Sequence, residues 1–170
     1  MKILTRLIII SLVLGLASWV LIQVPSVQDR ILVAAFSAIG SASNNLPKED
    51  ALSAAVCGSR SPLPSPGRAE TCLLIAAGDD LFVVDIGDGS NDNLRSWNIN
   101  FRNIKAVLIT HLHSDHIADL PGLHQNAWVV GQRSSKLKVF GPEGIEQLTQ
   151  GVEMAYAHDY VFRNEHHGDE

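Results

Sequence analysis

Three rhythms of apolar and polar positions follow one another along the chain, and each predicts a different kind of element. The first is continuous. Leu7 to Val24 runs eighteen residues without a charge, behind Lys2 and Arg6. At about 1.5 Å of rise per residue such a helix reaches about 27 Å, close to the hydrocarbon thickness of a bilayer. Residues 1–24 are therefore predicted to form a transmembrane signal anchor, with Trp19 and Gln23 toward the far interface. The two cations ahead of it would hold the N-terminus in the cytoplasm and send the rest of the chain outside, to the periplasm or the extracellular space. A cleaved signal peptide, giving a secreted protein, is the competing reading. Against it, no small-x-small pattern closes the run: Trp19 follows Ala17 and Ser18, and Pro25 follows Val24.

The second rhythm is helical. After Pro25, Val27, Ile31, Ala34, Ala35 and Ala38 form a stripe, with Asp29, Arg30 and Ser37 off it. Ser26 can cap this helix and Gly40 can end it. Ser41 to Asp50 is polar, holds Pro47, and reads as a linker. Residues 25–50 are thus a juxtamembrane helix and linker, and 51–170 the soluble domain.

The third rhythm is short apolar runs between turn residues. Leu52–Cys57 reads as a strand. Residues 58–67 hold three prolines and two glycines and must be a loop, either lining a site or merely connecting. Thr71–Ala77 and Leu81–Ile86 flank Gly78-Asp79-Asp80 and predict a hairpin. Asn91–Ile99 reads as a helix and Lys105–Thr110 as a strand, its Ala106–Ile109 stretch aliphatic enough to be buried on both faces. Strand, helix and strand in that order imply a parallel pair with a crossover helix. Ile117, Leu120 and Leu123 predict a short helix interrupted at Pro121-Gly122. Lys136–Phe140 predicts a further strand. Glu143–Tyr156 predicts a helix, with Ile145, Leu148, Val152 and Ala155 on one side.

At the end of the Lys105 strand the chemistry changes. His111, His113, Asp115 and His116 fall within six residues. Side chains two apart on extended backbone point the same way, so His111 and His113 can face one point beyond the strand. Asp115 and His116 follow a turn and can reach that point from another side. Imidazole and carboxylate suit zinc, iron or manganese, which makes this a candidate metal site. Asp85 closes the second hairpin strand just before Gly87. It either orients a ligand histidine or is an ordinary turn aspartate. His166 and His167, beside an acidic chain end, are weaker candidate ligands.

Bulk composition narrows the classes. The chain has 170 residues and a net charge of −5, with no basic stripe of the kind that coats nucleic acid, so a nucleic-acid partner is not expected. Two cysteines exclude a disulfide-scaffolded miniprotein and a Cys-based zinc finger. Cys57 and Cys72 lie in the first two strands. If those strands pair, a disulfide is within reach in an exported domain; otherwise both are small buried apolar residues.

Thr110-His111-Leu112-His113-Ser114-Asp115-His116 resembles the HxHxDH signature of the metallo-β-lactamase superfamily. Asp85 ahead of Gly87 is similar to that family's first motif. The run Ile117-Ala118-Asp119-Leu120-Pro121-Gly122-Leu123 resembles the branch holding the tRNA 3′-end-processing ribonuclease, and more closely an exported, arylsulfatase-like group within it. The resemblance implies an α/β fold, the αββα metallo-β-lactamase-like sandwich, with two zinc ions between its sheets. It implies that His111 and His113 bind one ion, that Asp115 and His116 bind the other, and that Asp115 is the proton acceptor. A homodimer is implied for the complete enzyme.

The family pattern continues with a later histidine, a bridging aspartate and a last histidine, which have no counterpart here. The chain therefore reads as the first αβ half of such a domain. The function expected is hydrolysis of phosphodiester or sulfate esters of small molecules by a metal-activated water, weak in this chain alone. A tRNA 3′-end endoribonuclease and an inactive metal-binding fragment are the alternatives. One face of the sheet is expected to be exposed and apolar.

Overall fold

The computed structural model describes residues 2–40 and 51–168. The chain divides into two compact units, Met1–Ala38 and Ile39–Glu170. The expected linker, 41–50, lies outside the described residues.

The first unit is two helices, α1 (Lys2–Ile22) and α2 (Pro25–Gly40). Proline lacks the N–H that would continue α1 and crowds the residue before it, so the helix breaks at Gln23–Val24. Val27 and Gln28 then donate to the Val24 carbonyl to start α2. The expected single membrane span over 1–24 is not borne out. Among the described residues no single helix is long and apolar enough to cross a membrane. Only Ile9–Ile22 and Pro25–Ile31 taken together reach that length and apolarity, and they are bent by 88°.

The second unit is a mixed sheet covered by helices. Its strands are β1 (Leu52–Gly58), β2 (Cys72–Ala77), β3 (Asp80–Val84), β4 (Ile104–Leu108) and β5 (Lys138–Phe140), in the spatial order β1-β2-β3-β4-β5. β1, β2 and β3 form an antiparallel meander. β3 is followed by α3 (Ser90–Ser96) and returns as β4, parallel to β3. β5 then adds parallel to β4. The turn between β2 and β3 has Gly78 at φ 60°, which glycine adopts without steric cost.

Between β4 and β5 come α4 (Ser114–Ile117), α5 (Leu120–Gln125) and a wide π-type turn over Asn126–Val130, closed by the Gly131 N–H donating to the Asn126 carbonyl. The apolar run Trp128–Val130 thus continues a helix with one widened turn. α6 (Ile145–Ala155) and α7 (Ala157–His167) end the described chain.

The pleat sorts the side chains. On one face the register aligns Leu74, Val83 and Val107, and with Leu81, Ile86 and Ile104 they are almost completely buried. Leu94 of α3, Leu120 and Leu123 of α5 and Ile145 of α6 complete this core. On the opposite face the register aligns Val56, Leu73, Val84, Leu108 and Phe140. Of these, Val56 is 63% exposed, Phe140 55% and Leu108 37%. Of the Ala106–Ile109 stretch expected to be buried on both faces, Ala106, Val107 and Ile109 are buried, and Leu108 alone is open. Among the described residues there is one sheet, and the second layer of an αββα sandwich is absent from them.

Cys57 and Cys72 form a disulfide across the β1–β2 pair, with Cα atoms 4.9 Å apart. A bulge between Val56 and Gly58 brings Cys57 opposite Cys72, whose partner in the register is Gly58. Free buried thiols, the other sequence reading, are thereby excluded.

Candidate metal centre

β4 delivers the cluster. Past Leu108 the chain stays extended, and Ile109 donates to the Phe140 carbonyl at 2.7 Å. Thr110 and His111 follow, exposed, while Leu112 between the histidines packs on the core. His113 is the N-cap of α4, in extended conformation, and its carbonyl accepts from the His116 N–H at 3.0 Å. This one short turn sends Asp115 inward, where it is 7% exposed, and brings His116 back over His111. The ring centroids of His111 and His116 are 3.9 Å apart, those of His111 and His113 4.6 Å. His116 Nε2 lies 3.5 Å from Asp115 Oδ2.

Asp85 stands beneath them, 3% exposed. Its φ is 56°, a left-handed conformation that aspartate tolerates better than most residues. Its N–H donates to the Leu108 carbonyl at 2.9 Å, which ties the end of β3 to the end of β4. Oδ1 accepts from the Thr110 N–H at 2.8 Å. Oδ2 accepts from the Thr110 hydroxyl and bonds His116 Nδ1, both at 2.8 Å.

The loop around Asp85 is clamped to the motif. Ile86 donates to the His116 carbonyl at 2.8 Å, and Asp119 donates back to the Ile86 carbonyl at 3.0 Å. A β-carbon on Gly87 would run into the Asp115 carbonyl and the Glu70 side chain, so only glycine allows this approach. On the other side, Glu70 Oε2 accepts from the Asp88 N–H at 3.0 Å and its carbonyl accepts from the Ser90 hydroxyl at 2.7 Å. Arg60 pairs with Glu70 at 3.3 Å and with Asp88 at 3.1 Å. The Pro-rich loop is thus tied to the loop that carries Asp85.

The Asp119 carboxylate accepts from the Asn91 N–H at 3.0 Å, at the start of α3. Burial raises its pKa. The Asn91 N–H bond opposes this, nearby Asp88 and Asp92 add to it, and a second bond from Gly89 lowers it. Asn126 reaches the Asn91 side chain at 2.9 Å.

The donors present are imidazole and carboxylate, the types that hold zinc. Their orientation fits as well. With its Nδ1 proton given to Asp85, His116 keeps Nε2 as a lone pair, the arrangement a carboxylate imposes on metal-binding histidines. Among the described residues, however, no three such side chains converge as a closed coordination group. His166 Nδ1 bonds the Phe162 carbonyl within exposed α7, with the His167 ring 6.5 Å away.

Sequence reasoning did not single out Thr110, Glu70, Asn91 or Asp119. Thr110 precedes His111 directly and could have been noticed for that. Asp119 lies in the run quoted for the branch resemblance, but its bond to Asn91, like that of Glu70 to Asp88 and of Asn91 to Asn126, reaches 18 to 35 positions along the chain and leaves no local signal.

A family model described as the metallo-beta-lactamase superfamily matches residues 65–169, which include the whole histidine cluster. Ribonuclease Z of Mycobacterium bovis (strain BCG / Pasteur 1173P2) is 36% identical over 114 residues, covering 66% of this chain and 41% of that protein. Ribonuclease Z of Mycobacterium marinum gives the same identity and coverage. The chain therefore spans about two fifths of the length of these relatives. Among solved structures, the metallo-beta-lactamase fold protein YhfI from Bacillus subtilis superposes with a TM-score of 0.50 at 30% identity, over 58% of this chain and 40% of that one. The short form of human tRNase Z superposes with a TM-score of 0.56 at 23% identity, over 61% and 40%, a likeness of fold alone.

Proposed function

The chain belongs to the metallo-beta-lactamase superfamily, and from that premise we propose that it is a metal-dependent hydrolase of phosphodiester bonds, with RNA as the substrate class. The observation that carries the reading is the 36% identity to ribonuclease Z. It runs against the sequence-based expectation that nucleic acid is not a partner. The net charge of −5 remains relevant, since RNA would have to be held by a local cationic surface rather than by the whole molecule.

In this reading His111, His113, Asp115 and His116 hold the metal, with zinc the ion best suited to the donors. When bound, such an ion lowers the pKa of water and stabilises a developing oxyanion. Asp115, buried beside His116, is the proton acceptor. Asp85 keeps His116 in the tautomer that binds. Four side chains are too few for two catalytic zinc ions, each of which ordinarily takes three protein ligands plus water, so a two-ion centre needs ligands beyond this motif. Weak zinc binding and slow turnover are accordingly the expectation for the 170-residue chain alone.

A second reading is favoured by one observation, the Cys57–Cys72 disulfide. Disulfides persist in oxidising compartments, outside the cytoplasm where tRNA is matured. There the substrate would be a small phosphate or sulfate ester. The deciding assay offers the zinc-loaded chain three substrates: an RNA bearing a 3′ extension, a chromogenic phosphodiester and an aryl sulfate. Cleavage of the RNA that is lost with chelator and in Asp115→Ala supports the nuclease reading. Turnover of the small esters with the RNA left intact overturns it in favour of the second.

A further inference from the structure

We propose that Thr110 is a positioning residue that fixes the ring tautomer of His111, so that the single carboxylate of Asp85 aligns two histidines of the site. The proposal rests on the reading of His111 and His116 as metal-binding side chains.

The argument is a proton count over one short chain of hydrogen bonds. A carboxylate has no proton to give, so Asp85 only accepts. Its Oδ2 lies 2.8 Å from the Thr110 hydroxyl and 2.8 Å from His116 Nδ1. Thr110 therefore donates its one hydroxyl proton to Asp85. The Thr110 oxygen is then left with lone pairs alone, and it lies 3.1 Å from His111 Nδ1. For that contact to be a hydrogen bond, the proton must sit on His111 Nδ1. The opposite assignment would turn the Thr110 proton toward His111 and forfeit the bond to Asp85, which is both shorter and charge-assisted. The Thr110 oxygen is also 3.5 Å from His116 Nδ1, but His116 has the nearer acceptor in Asp85.

Both rings consequently carry the proton on Nδ1 and keep Nε2 as a bare lone pair. His116 is set directly and His111 through the hydroxyl. Metal-binding histidines are oriented by whatever their other nitrogen bonds, and here one buried aspartate serves two of them. The backbone makes this exact placement stable: Asp85 Oδ1 also accepts the Thr110 N–H, so the carboxylate grips the residue from two directions. Valine has the shape of threonine without the oxygen, and serine has the oxygen without the methyl group. The two substitutions separate packing from hydrogen bonding.

The experiment is long-range proton–nitrogen NMR of the imidazole rings in the full metal-free chain, about two units above the ordinary histidine pKa of roughly 6.5. The expected result is the Nδ1–H form for His111 and His116, with Thr110→Ser the same. In Thr110→Val, His111 should move to the Nε2–H form while His116 keeps Nδ1–H. Chelator competition for zinc should show about a tenfold weaker affinity in Thr110→Val and little change in Thr110→Ser, at the lower end of the 10–100-fold typical of such supporting residues. An Nε2–H tautomer of His111 in the unmodified chain overturns the proposal, as does an Nδ1–H tautomer that survives in Thr110→Val. Should Thr110→Val not fold, the tautomers of the unmodified chain and of Thr110→Ser still decide. Tautomers as expected in a chain that takes up no zinc even in large metal excess would uphold the role of Thr110 and overturn the metal reading instead.

Discussion

On one face of the sheet Leu74, Leu81, Val83 and Val107 are sealed beneath α3, α5 and α6; on the other, Val56, Leu108 and Phe140 of the same strands stand open. The two faces are alike in sequence. Both are aliphatic or aromatic, and β2 and β3 carry apolar residues at nearly every position. Such runs mark strands covered on both sides. Composition therefore does not separate the faces; the helices that follow do, because their apolar sides all dock on one of them. Exposed apolar rows of this kind invite association. The histidine cluster stands at the C-terminal end of β4, between a finished core and an open layer.

The sharpest way to separate the faces is to cut into the closed one. Leu81→Ala removes a fully buried side chain and should lower stability by about 2–5 kcal/mol in urea unfolding. A loss below about 1 kcal/mol would mean the covered face is no better packed than the open one.

Next in size is the disulfide. It joins the edge strand β1 to β2 at two positions on the covered side, 1% and 2% exposed. Cross-linking across 15 residues restricts the unfolded chain and should contribute about 3 kcal/mol. The Cys57→Ala, Cys72→Ala pair should show that loss against the oxidised parent. Equal unfolding midpoints would show that β1 is held by its ladder alone.

The open face predicts the reverse pattern. Phe140→Ser with Val56→Ser should change the unfolding free energy by no more than about 1 kcal/mol, since both side chains are mostly in water. The same pair should reduce dye binding and concentration-dependent association, read by light scattering. A steep stability loss with association unchanged would show that this face is packed and not open.

Much of this was legible in the sequence, and the physical reason is locality. The β2–β3 hairpin, the crossover through α3 and the strand that delivers His111 all follow from the period and turn residues of neighbouring segments. His111 and His113 share a side because extended backbone repeats every two residues. What escaped depends on distant partners. Glu70 is one polar residue at the end of a loop until Arg60, Asp88 and Ser90 close around it. An exposed apolar face was expected, but the Ala106–Ile109 run did not show that Leu108 would lie on it, because an aliphatic run looks the same whether one side or two are covered. The N-terminal run reads as a span from its uncharged length, yet its helix ends at Ile22 and the next begins at Pro25, and among the described residues neither is long and apolar enough alone.

The smallest effect is expected where the covered side meets the site. Asp119 is half-buried and caps α3 through Asn91, and burial holds its pKa above the usual value. The folded chain therefore binds a proton that the unfolded chain releases more readily. The stabilisation from this group is complete below the ordinary aspartate pKa near 3.8 and is lost as pH rises through the raised folded value. Asp119→Asn mimics the protonated side chain but keeps an oxygen able to accept from Asn91. Relative to this variant, the parent should lose stability across that acidic window and stay level above it. Matched unfolding curves over the window test the difference. A parent that gains stability there would mean that the Asn91 and Gly89 N–H groups, and not burial, govern Asp119, and that the polar edge of the covered face is wetter than its geometry indicates.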